Sequence, residues 1–331
     1  MTLLILDVNM ILDTVLFICA WMTFIMLYLQ YQKEQREKGD SMVDDDTSLS
    51  KQELIFQDTS LFACLGFSHD EVTNFTSFTD RFSSFDGVAS AIKRAGLHTS
   101  HLIVGIDFTA SNEWQGRKVF GNKSLHHVSG NKIVNPYQKV IAIIGGTLEK
   151  FDSDNLIPVY GFGDTESKNV SIFPVKKDWT QCRGFGEVLR CYNEIVPNIK
   201  LSGPTSFAPV INKAIEHVRN TNLYHILLII TDGQLKNDKS TVEAIVEASN
   251  YALSIILVGV GDGPWGTMRQ YDDMLPKRKF DNFQFVDFHK VCAKSKYAEP
   301  AFALHALMEV PDQYKAICEL GYLNVPKDKY I

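Results

Sequence analysis

The sequence lacks paired cysteines and any strongly basic region. No two of its six cysteines form a C-x-x-C pair, so neither a zinc ribbon nor a redox dithiol is predicted. Their scattered spacing favours free thiols in a reducing compartment, with disulfides as the alternative. The formal net charge is −6 and no Lys/Arg stripe is present, so nucleic acid is not an expected partner. The cysteines are Cys19, Cys64, Cys182, Cys191, Cys292 and Cys318.

Common enzyme signatures are missing as well. No Gly-x-Ser-x-Gly nucleophile elbow occurs, and the glycine-containing stretches 161–163 and 259–263 lack the Lys-Ser/Thr of a phosphate-binding loop. His126 and His127 are adjacent rather than three or four residues apart, which favours a polar loop over a shared metal face on a helix. We therefore expect no catalytic residues and no intrinsic hydrolase activity.

A long uncharged run occurs near the amino terminus. Residues 14–32, TVLFICAWMTFIMLYLQYQ, contain no charge over 19 residues. A helix of that length approaches the ~30 Å thickness of a bilayer core. Acidic residues precede the run and Lys33 follows it, so the positive-inside rule predicts a single-pass anchor with the remainder in the cytoplasm. The alternative is that the run is no true anchor and that the protein lies in the cytoplasm or nucleus.

The distribution of apolar and polar residues divides the chain into an anchor at 1–32, a polar tether and pre-domain segment at 33–81, a domain at 82–324 and a tail at 325–331. Within the domain, apolar strands alternate with amphipathic helices, which predicts a doubly wound α/β fold: a mostly parallel sheet with helices on both faces. The predicted strands are SHLIVGIDF, NLIPVYGFGD, VSIFPV, YHILLIITDG, LSIILVGVGDG and DNFQFVDF. The predicted helices are FDGVASAIKRAGL, NPYQKVIAIIGGTLEKF, GFGEVLRCYNEIV, FAPVINKAIEHVRN, STVEAIVEASNYA and a long closing helix, EPAFALHALMEVPDQYKAICELGYL.

Two of the predicted strands end in aspartate, at Asp107 and Asp232. Ligands of such sheets bind outside the carboxyl ends of the strands, so both carboxylates face one crevice if the two strands are neighbours. Thr109 and Ser111 follow the first aspartate at every second position, and the loop GPTSFAP adds Thr205. This all-oxygen set favours a hard cation: Mg²⁺ first, with Mn²⁺ or Ca²⁺ as alternatives.

The order of these five residues resembles the metal-ion-dependent adhesion site of a von Willebrand factor type A domain. The segments DFTASN, NPYQ, GPTSFAPVIN and LLIITDG resemble the A domain of the copine family. EWQGRKVFGNKSLHH, FDNFQFVDF and FALHALMEVPDQYKA are similar to the copine-type A domain of certain RING ubiquitin ligases. The resemblance runs from about Phe82 to Asn324. It implies that Asp107, Thr109 and Ser111 hold the cation directly or through water, with Thr205 and Asp232 completing the shell.

The chain departs from both groups at its ends. Nothing before residue 82 is long enough for a calcium-binding C2 domain, and the sequence stops at Ile331 with only Cys318 in its last helix. We therefore expect neither C2-type lipid binding nor autonomous RING ligase activity.

Together, the resemblance and the uncharged run at 14–32 predict a membrane-tethered protein-binding module in which the cation leaves one position open for an Asp or Glu of a cytoplasmic protein. Candidate contact residues are Asn112 and Trp114, within a surface formed by residues 112–118, 204–207 and 234–238. One alternative is a RING-less adaptor or regulator that acts with the ubiquitination machinery. Another is a structural protein whose metal site only stabilises the fold.

Overall fold

The computed structural model describes residues 82–324, apart from residues 131, 133, 153 and 234–237. The predicted anchor at 14–32, the tether at 33–81 and the tail at 325–331 lie outside the described residues, and the domain boundaries stay predictions. Within the described part of the chain, none of the helices combines the length and the apolar character that a membrane crossing requires. This finding corrects the predicted localisation: a single-pass membrane protein is not supported, and we do not retain it.

The described residues form a central sheet of six strands in the order β4-β3-β1-β6-β7-β8. Strand β4 runs antiparallel to β3, and the other neighbours are parallel. The strands β6 and β7 are buried along their whole length, which explains why their sequences are mostly apolar and do not alternate between apolar and polar residues. The strands are β1 His101–Asp107, β3 Val159–Phe162, β4 Phe173–Pro174, β6 His225–Thr231, β7 Leu253–Gly259 and β8 Phe283–Asp287; β2 Leu156–Ile157 and β5 Cys182–Arg183 form a separate antiparallel pair.

The helices form two groups that flank the sheet. One group contains α1, α2, α3 and α8, which pack against one another, and α4 packs against α5 in the other. The helices are α1 Phe85–Arg94, α2 Pro136–Leu148, α3 Gly184–Ile195, α4 Ala208–Thr221, α5 Lys239–Ala248, α6 Gly266–Met274, α7 Phe288–Cys292, α8 Ala298–Leu307 and α9 Val310–Glu319. The predicted α/β class with a mostly parallel sheet is confirmed.

The start of α2 is strongly specified by its sequence. The side chain of Asn135 accepts a hydrogen bond from the N–H of Gln138 at 2.8 Å, and the Gln138 side chain accepts one from the N–H of Asn135 at 3.0 Å. This reciprocal capping box satisfies N–H groups that the helix itself leaves free. Pro136 occupies the first turn, where its missing N–H costs nothing. The cap fixes the position of Tyr137, which reaches the candidate site.

The structure divides two predicted elements at prolines. The closing helix is two helices, α8 and α9, because Pro311 lies in the first turn of α9 and cannot continue a preceding helix. The predicted strand NLIPVYGFGD divides at Pro158 into β2 and β3, which belong to different sheets. The short helices α6 and α7 were not predicted from the sequence. The four cysteines that the structure describes, Cys182, Cys191, Cys292 and Cys318, are free thiols, as predicted.

Candidate metal centre

The two aspartates of the predicted site lie at adjacent strand ends. Asp107 ends β1 and Asp232 directly follows β6; the parallel register places Ile106 opposite Ile230, one residue before Asp107 and two residues before Asp232. The chain passes from β3 on one side of β1 to β6 on the other, so this edge is a topological switch point of the kind that binds ligands. Both aspartates are 0% exposed. The structure therefore brings together the two carboxylates that the sequence singled out.

Neutral donors surround the Asp107 carboxylate. Its Oδ1 accepts a hydrogen bond from the N–H of Thr109 at 2.8 Å, and its Oδ2 accepts one from the Thr231 hydroxyl at 2.5 Å. The N–H of Asp232 also donates to it. Burial raises the pKa of Asp107 above its ordinary value, and these donors only partly oppose that rise. Among the ion pairs within the described residues, none involves Asp107.

A buried carboxylate without a charged partner is costly, and a bound cation offsets that cost. The neighbouring hydroxyls fit the same requirement. The Thr109 hydroxyl lies 3.1 Å from that of Ser111, and the 3-10 turn Ala110–Glu113 holds both beside Asp107. Since carboxylate and hydroxyl oxygens suit Mg²⁺, the residues present fit the predicted cation.

The loop that carries Thr205 is attached to the same edge by its backbone. The N–H of Ala110 donates to the Ser202 carbonyl at 2.6 Å, and the Ser202 N–H donates to the carbonyl of Phe108 at 3.3 Å. Thr205 follows three residues later and is half-buried, just before α4. The structure thus places all five predicted metal-site residues at one edge of the sheet. Their role as ligands stays a prediction.

A buried polar network holds the backbone of Asp107, and the sequence did not reveal it. The Asp107 carbonyl accepts hydrogen bonds from His126 Nε2 at 2.8 Å, from the Tyr137 hydroxyl at 3.2 Å and from Asn112 Nδ2 at 3.3 Å. Because a carbonyl only accepts, Nε2 carries the proton, and Nδ1 then accepts from the Tyr192 hydroxyl at 2.8 Å. Burial lowers the pKa of His126 to about 4, so the ring is neutral. His126 lies in a turn outside the helices, as predicted, but its ring is buried in this network, whereas His127 is exposed.

The predicted contact surface needs one correction. Asn112 is 0% exposed, and its Oδ1 accepts a 2.7 Å hydrogen bond from the Tyr137 hydroxyl. Asn112 stabilises from inside the loop that carries Asp107, Thr109 and Ser111, here called the ligand loop, and it cannot reach a partner. Trp114 is 46% exposed, so its ring is accessible, and its role in partner binding stays a prediction. Residues 234–237 of that surface lie outside the described residues.

Gly163 is a further site residue that sequence reasoning missed. It follows β3 with φ +86°, a conformation that favours glycine, and a Cβ there would lie 2.4 Å from Thr109 Cγ2. Thr231 was missed too, although a hydroxyl directly after the apolar run ILLII was a visible signal. Both residues shape the space around Asp107, one by leaving room and the other by donating a hydrogen bond.

A mostly parallel sheet, flanked by helices and with buried aspartates at its carboxyl edge, defines a von Willebrand factor A-like domain. The family model of the copines matches residues 124–326, more than half of the chain. The chain belongs to the copine family.

Curated relatives share about half of the aligned residues. The chain is 52% identical over 266 residues to the E3 ubiquitin-protein ligase RGLG5 of Arabidopsis thaliana, covering 76% of this chain and 61% of that protein. It is 53% identical over 246 residues to Copine family protein 2 of Caenorhabditis elegans, covering 73% of this chain and 3% of that protein. The chain thus spans less than two thirds of either relative's length.

Solved structures resemble this chain more distantly. Proximal thread matrix protein 1 from the mussel byssus, in a structure described as having a zinc-occupied MIDAS motif, has a TM-score of 0.38 and 13% identity, covering 66% of this chain and 48% of that chain. The manganese-loaded TRAP protein of Plasmodium vivax has a TM-score of 0.35 and 14% identity, covering 61% of this chain and 74% of that chain.

Proposed function

We propose that this chain is a protein-binding module whose binding depends on a divalent cation. The observation that supports this most strongly is the pair of fully buried carboxylates, Asp107 and Asp232, at adjacent strand ends. Within the described residues, Asp107 is held by neutral donors only, beside the hydroxyls of Thr109 and Ser111. With Thr205, these residues would hold Mg²⁺, or alternatively Mn²⁺ or Ca²⁺.

The charge at this edge indicates the kind of partner. Asp107 and Asp232 together balance the two positive charges of a divalent cation but do not fill its coordination sphere. A bound cation would therefore present an open position that suits an Asp or Glu of another protein. Arg117 and Lys118 are exposed in the segment that follows the ligand loop, and both favour an acidic partner. Trp114 lies between that loop and these basic residues and offers an accessible aromatic ring, a side-chain type enriched among binding hot spots.

A capture experiment tests the proposal. The immobilised full chain is incubated with cell extract in Mg²⁺ or in EDTA, and the bound proteins are compared by mass spectrometry. Ser111→Ala removes a neutral oxygen without leaving a buried charge, so capture should weaken while the fold persists. Ser129→Ala, at an exposed serine outside the predicted ligand set, is the matched control and should capture as the unmodified chain does.

The outcome separates two roles of the metal. A bound set that falls in EDTA and in Ser111→Ala, and that returns on adding Mg²⁺, supports the open-site mechanism. If the bound set is unchanged by both EDTA and Ser111→Ala, the site is purely structural and the proposal fails.

A second proposal is a role in ubiquitination, as an adaptor or regulator. It rests on the 52% identity to an Arabidopsis ubiquitin ligase, of which this chain spans 61%. If captured proteins are ubiquitination substrates, their modification in cells should fall when Ser111→Ala replaces the unmodified chain. Unchanged modification would leave the binding proposal standing and remove this one.

A further inference from the structure

A second cluster of possible metal ligands lies at the amino end of β1, away from the candidate metal centre. It consists of His101, Asp152 and Asp154, whose nearest ligand atoms all lie within 4.8 Å of one another. His101 is the first residue of β1 and Asp107 is the last, so the two sites are separated by the strand's length, roughly 20 Å. The cluster therefore does not belong to the site described above.

The spacing of the three side chains approaches that of a tetrahedral zinc site. His101 Nδ1 lies 3.8 Å from Asp152 Oδ1 and 3.5 Å from Asp154 Oδ2. Zinc bonds to nitrogen and carboxylate oxygen of about 2.0–2.1 Å place tetrahedral ligands about 3.3 Å apart. Movements of a few tenths of an ångström, which rotation of the side chains can supply, would bring each of these two carboxylate oxygens to that separation from His101 Nδ1.

The Asp152 carboxylate gives a second observation, independent of the spacing, that points to a bound cation. The side chain of Asp152 is only 4% exposed, and neither carboxylate oxygen accepts a hydrogen bond of good geometry from the residues that the structure describes. The N–H of Asn155 approaches this carboxylate without completing such a bond. The Asp154 carboxylate lies close to it, and His101 Nδ1 lies within 4 Å of both carboxylates. A buried, unsatisfied carboxylate is costly, and a cation bound there would remove that cost.

Neighbouring groups orient the other two side chains of the cluster, Asp154 and His101. Asp154 Oδ1 accepts a hydrogen bond from the N–H of Leu156 at 3.1 Å, which turns Oδ2 toward His101. The ring of His225 packs beside that of His101 at 5.2 Å, and its Nδ1 donates to the Leu223 carbonyl at 2.9 Å. His225 does not belong to the group of ligand atoms that lie within 4.8 Å of one another, so we do not count it among the ligands. Outer contacts of this kind hold metal ligands in place.

We propose that His101, Asp152 and Asp154 form a second metal site, which takes Zn²⁺ or a similar transition-metal ion in preference to Mg²⁺. An imidazole nitrogen with two carboxylates suits zinc, whereas Mg²⁺ prefers oxygen ligands and retains its water. The assignment does not depend on the function proposed for the Asp107 site.

Zinc binding in the presence of excess Mg²⁺ tests the proposal. The full chain is dialysed against buffered Zn²⁺ with Mg²⁺ in large excess, and the retained zinc is measured. The unmodified chain should retain zinc, and its X-ray absorption spectrum should show nitrogen and oxygen ligands. His101→Asn should weaken zinc affinity at least about tenfold, because loss of a direct ligand exceeds the effect of losing an outer contact.

Two controls separate ligand loss from damage to the fold. His98→Asn makes the same substitution at an exposed histidine three residues before β1, and it should bind zinc as the unmodified chain does. Asp154→Asn, at a side chain that is 47% exposed, should also weaken zinc binding and provides a second variant if His101→Asn does not fold. The proposal is overturned if zinc is not retained, if sulfur ligands hold it, or if folded His101→Asn or Asp154→Asn binds zinc unchanged.

Discussion

Replacing Asp107 with asparagine should abolish stabilisation of the domain by Mg²⁺ while leaving the fold intact. The asparagine Oδ1 can still accept from the N–H of Thr109, and its amide can donate to the Thr231 hydroxyl, which also accepts. Burial raises the pKa of Asp107, which means that the native state without metal resists ionisation of this group. In EDTA at neutral pH the variant should therefore be at least as stable as the unmodified chain.

The magnitude follows from binding to the native state alone. At a Mg²⁺ concentration a hundredfold above its dissociation constant, the unmodified chain gains about 2.7 kcal/mol in the free energy of unfolding. For a domain of roughly 150–250 residues each kcal/mol corresponds to about 2–4 °C, so Tm should rise by about 5–11 °C. Asp107→Asn removes a charged ligand from the centre of the site, and its shift should be close to zero.

Thermal unfolding followed by circular dichroism, with Mg²⁺ or EDTA, measures this difference on the full chain. Asp178→Asn is the control, because Asp178 is exposed and lies in a loop after β4, away from the aspartate-bearing strand ends. It should keep the full Mg²⁺ shift. An equal shift in Asp107→Asn and in the unmodified chain would show that Mg²⁺ binds elsewhere, and the site assignment would be refuted.

Two further predictions concern pH and backbone conformation. Burial lowers the pKa of His305 from 6.5 to about 4. As pH falls from 6.5 towards 4, the unfolded chain binds a proton at His305 while the folded chain does not, so the free energy of unfolding decreases. The loss is up to about 3 kcal/mol, and urea unfolding at a series of pH values should show a smaller pH dependence for His305→Gln; an equal dependence would contradict this. Gly163→Ala should lower Tm more than Gly121→Ala and also reduce the Mg²⁺ shift, because both glycines have positive φ but only the first added Cβ meets a neighbour, Thr109. Equal losses in the two alanine variants would argue against the close contact.

Several features of the fold and site could be predicted because they depend on local pattern. The run ILLII, residues 226–230 of β6, is apolar at every position because a central parallel strand is covered on both faces. An aspartate at the end of such a run must lie at the sheet's carboxyl edge, which is why Asp107 and Asp232 were found from the sequence. The prolines at 158 and 311 carried a local signal too, but the continuous apolar pattern around them concealed the breaks.

Tertiary structure alone decided which polar side chains are buried together. Asn112 looked like a surface residue beside the ligand loop, yet it is fully buried, and its side chain accepts a hydrogen bond from the hydroxyl of Tyr137 in α2. His126 carries no sequence signal of its contact with the Asp107 carbonyl, because 19 residues of chain separate the two. The second cluster has the same origin: His101 and Asp152 meet only because the chain returns, after α2, to the amino end of β1. Local sequence determines where strands end and which residues stand there, whereas contacts between residues distant in the chain depend on how the elements pack.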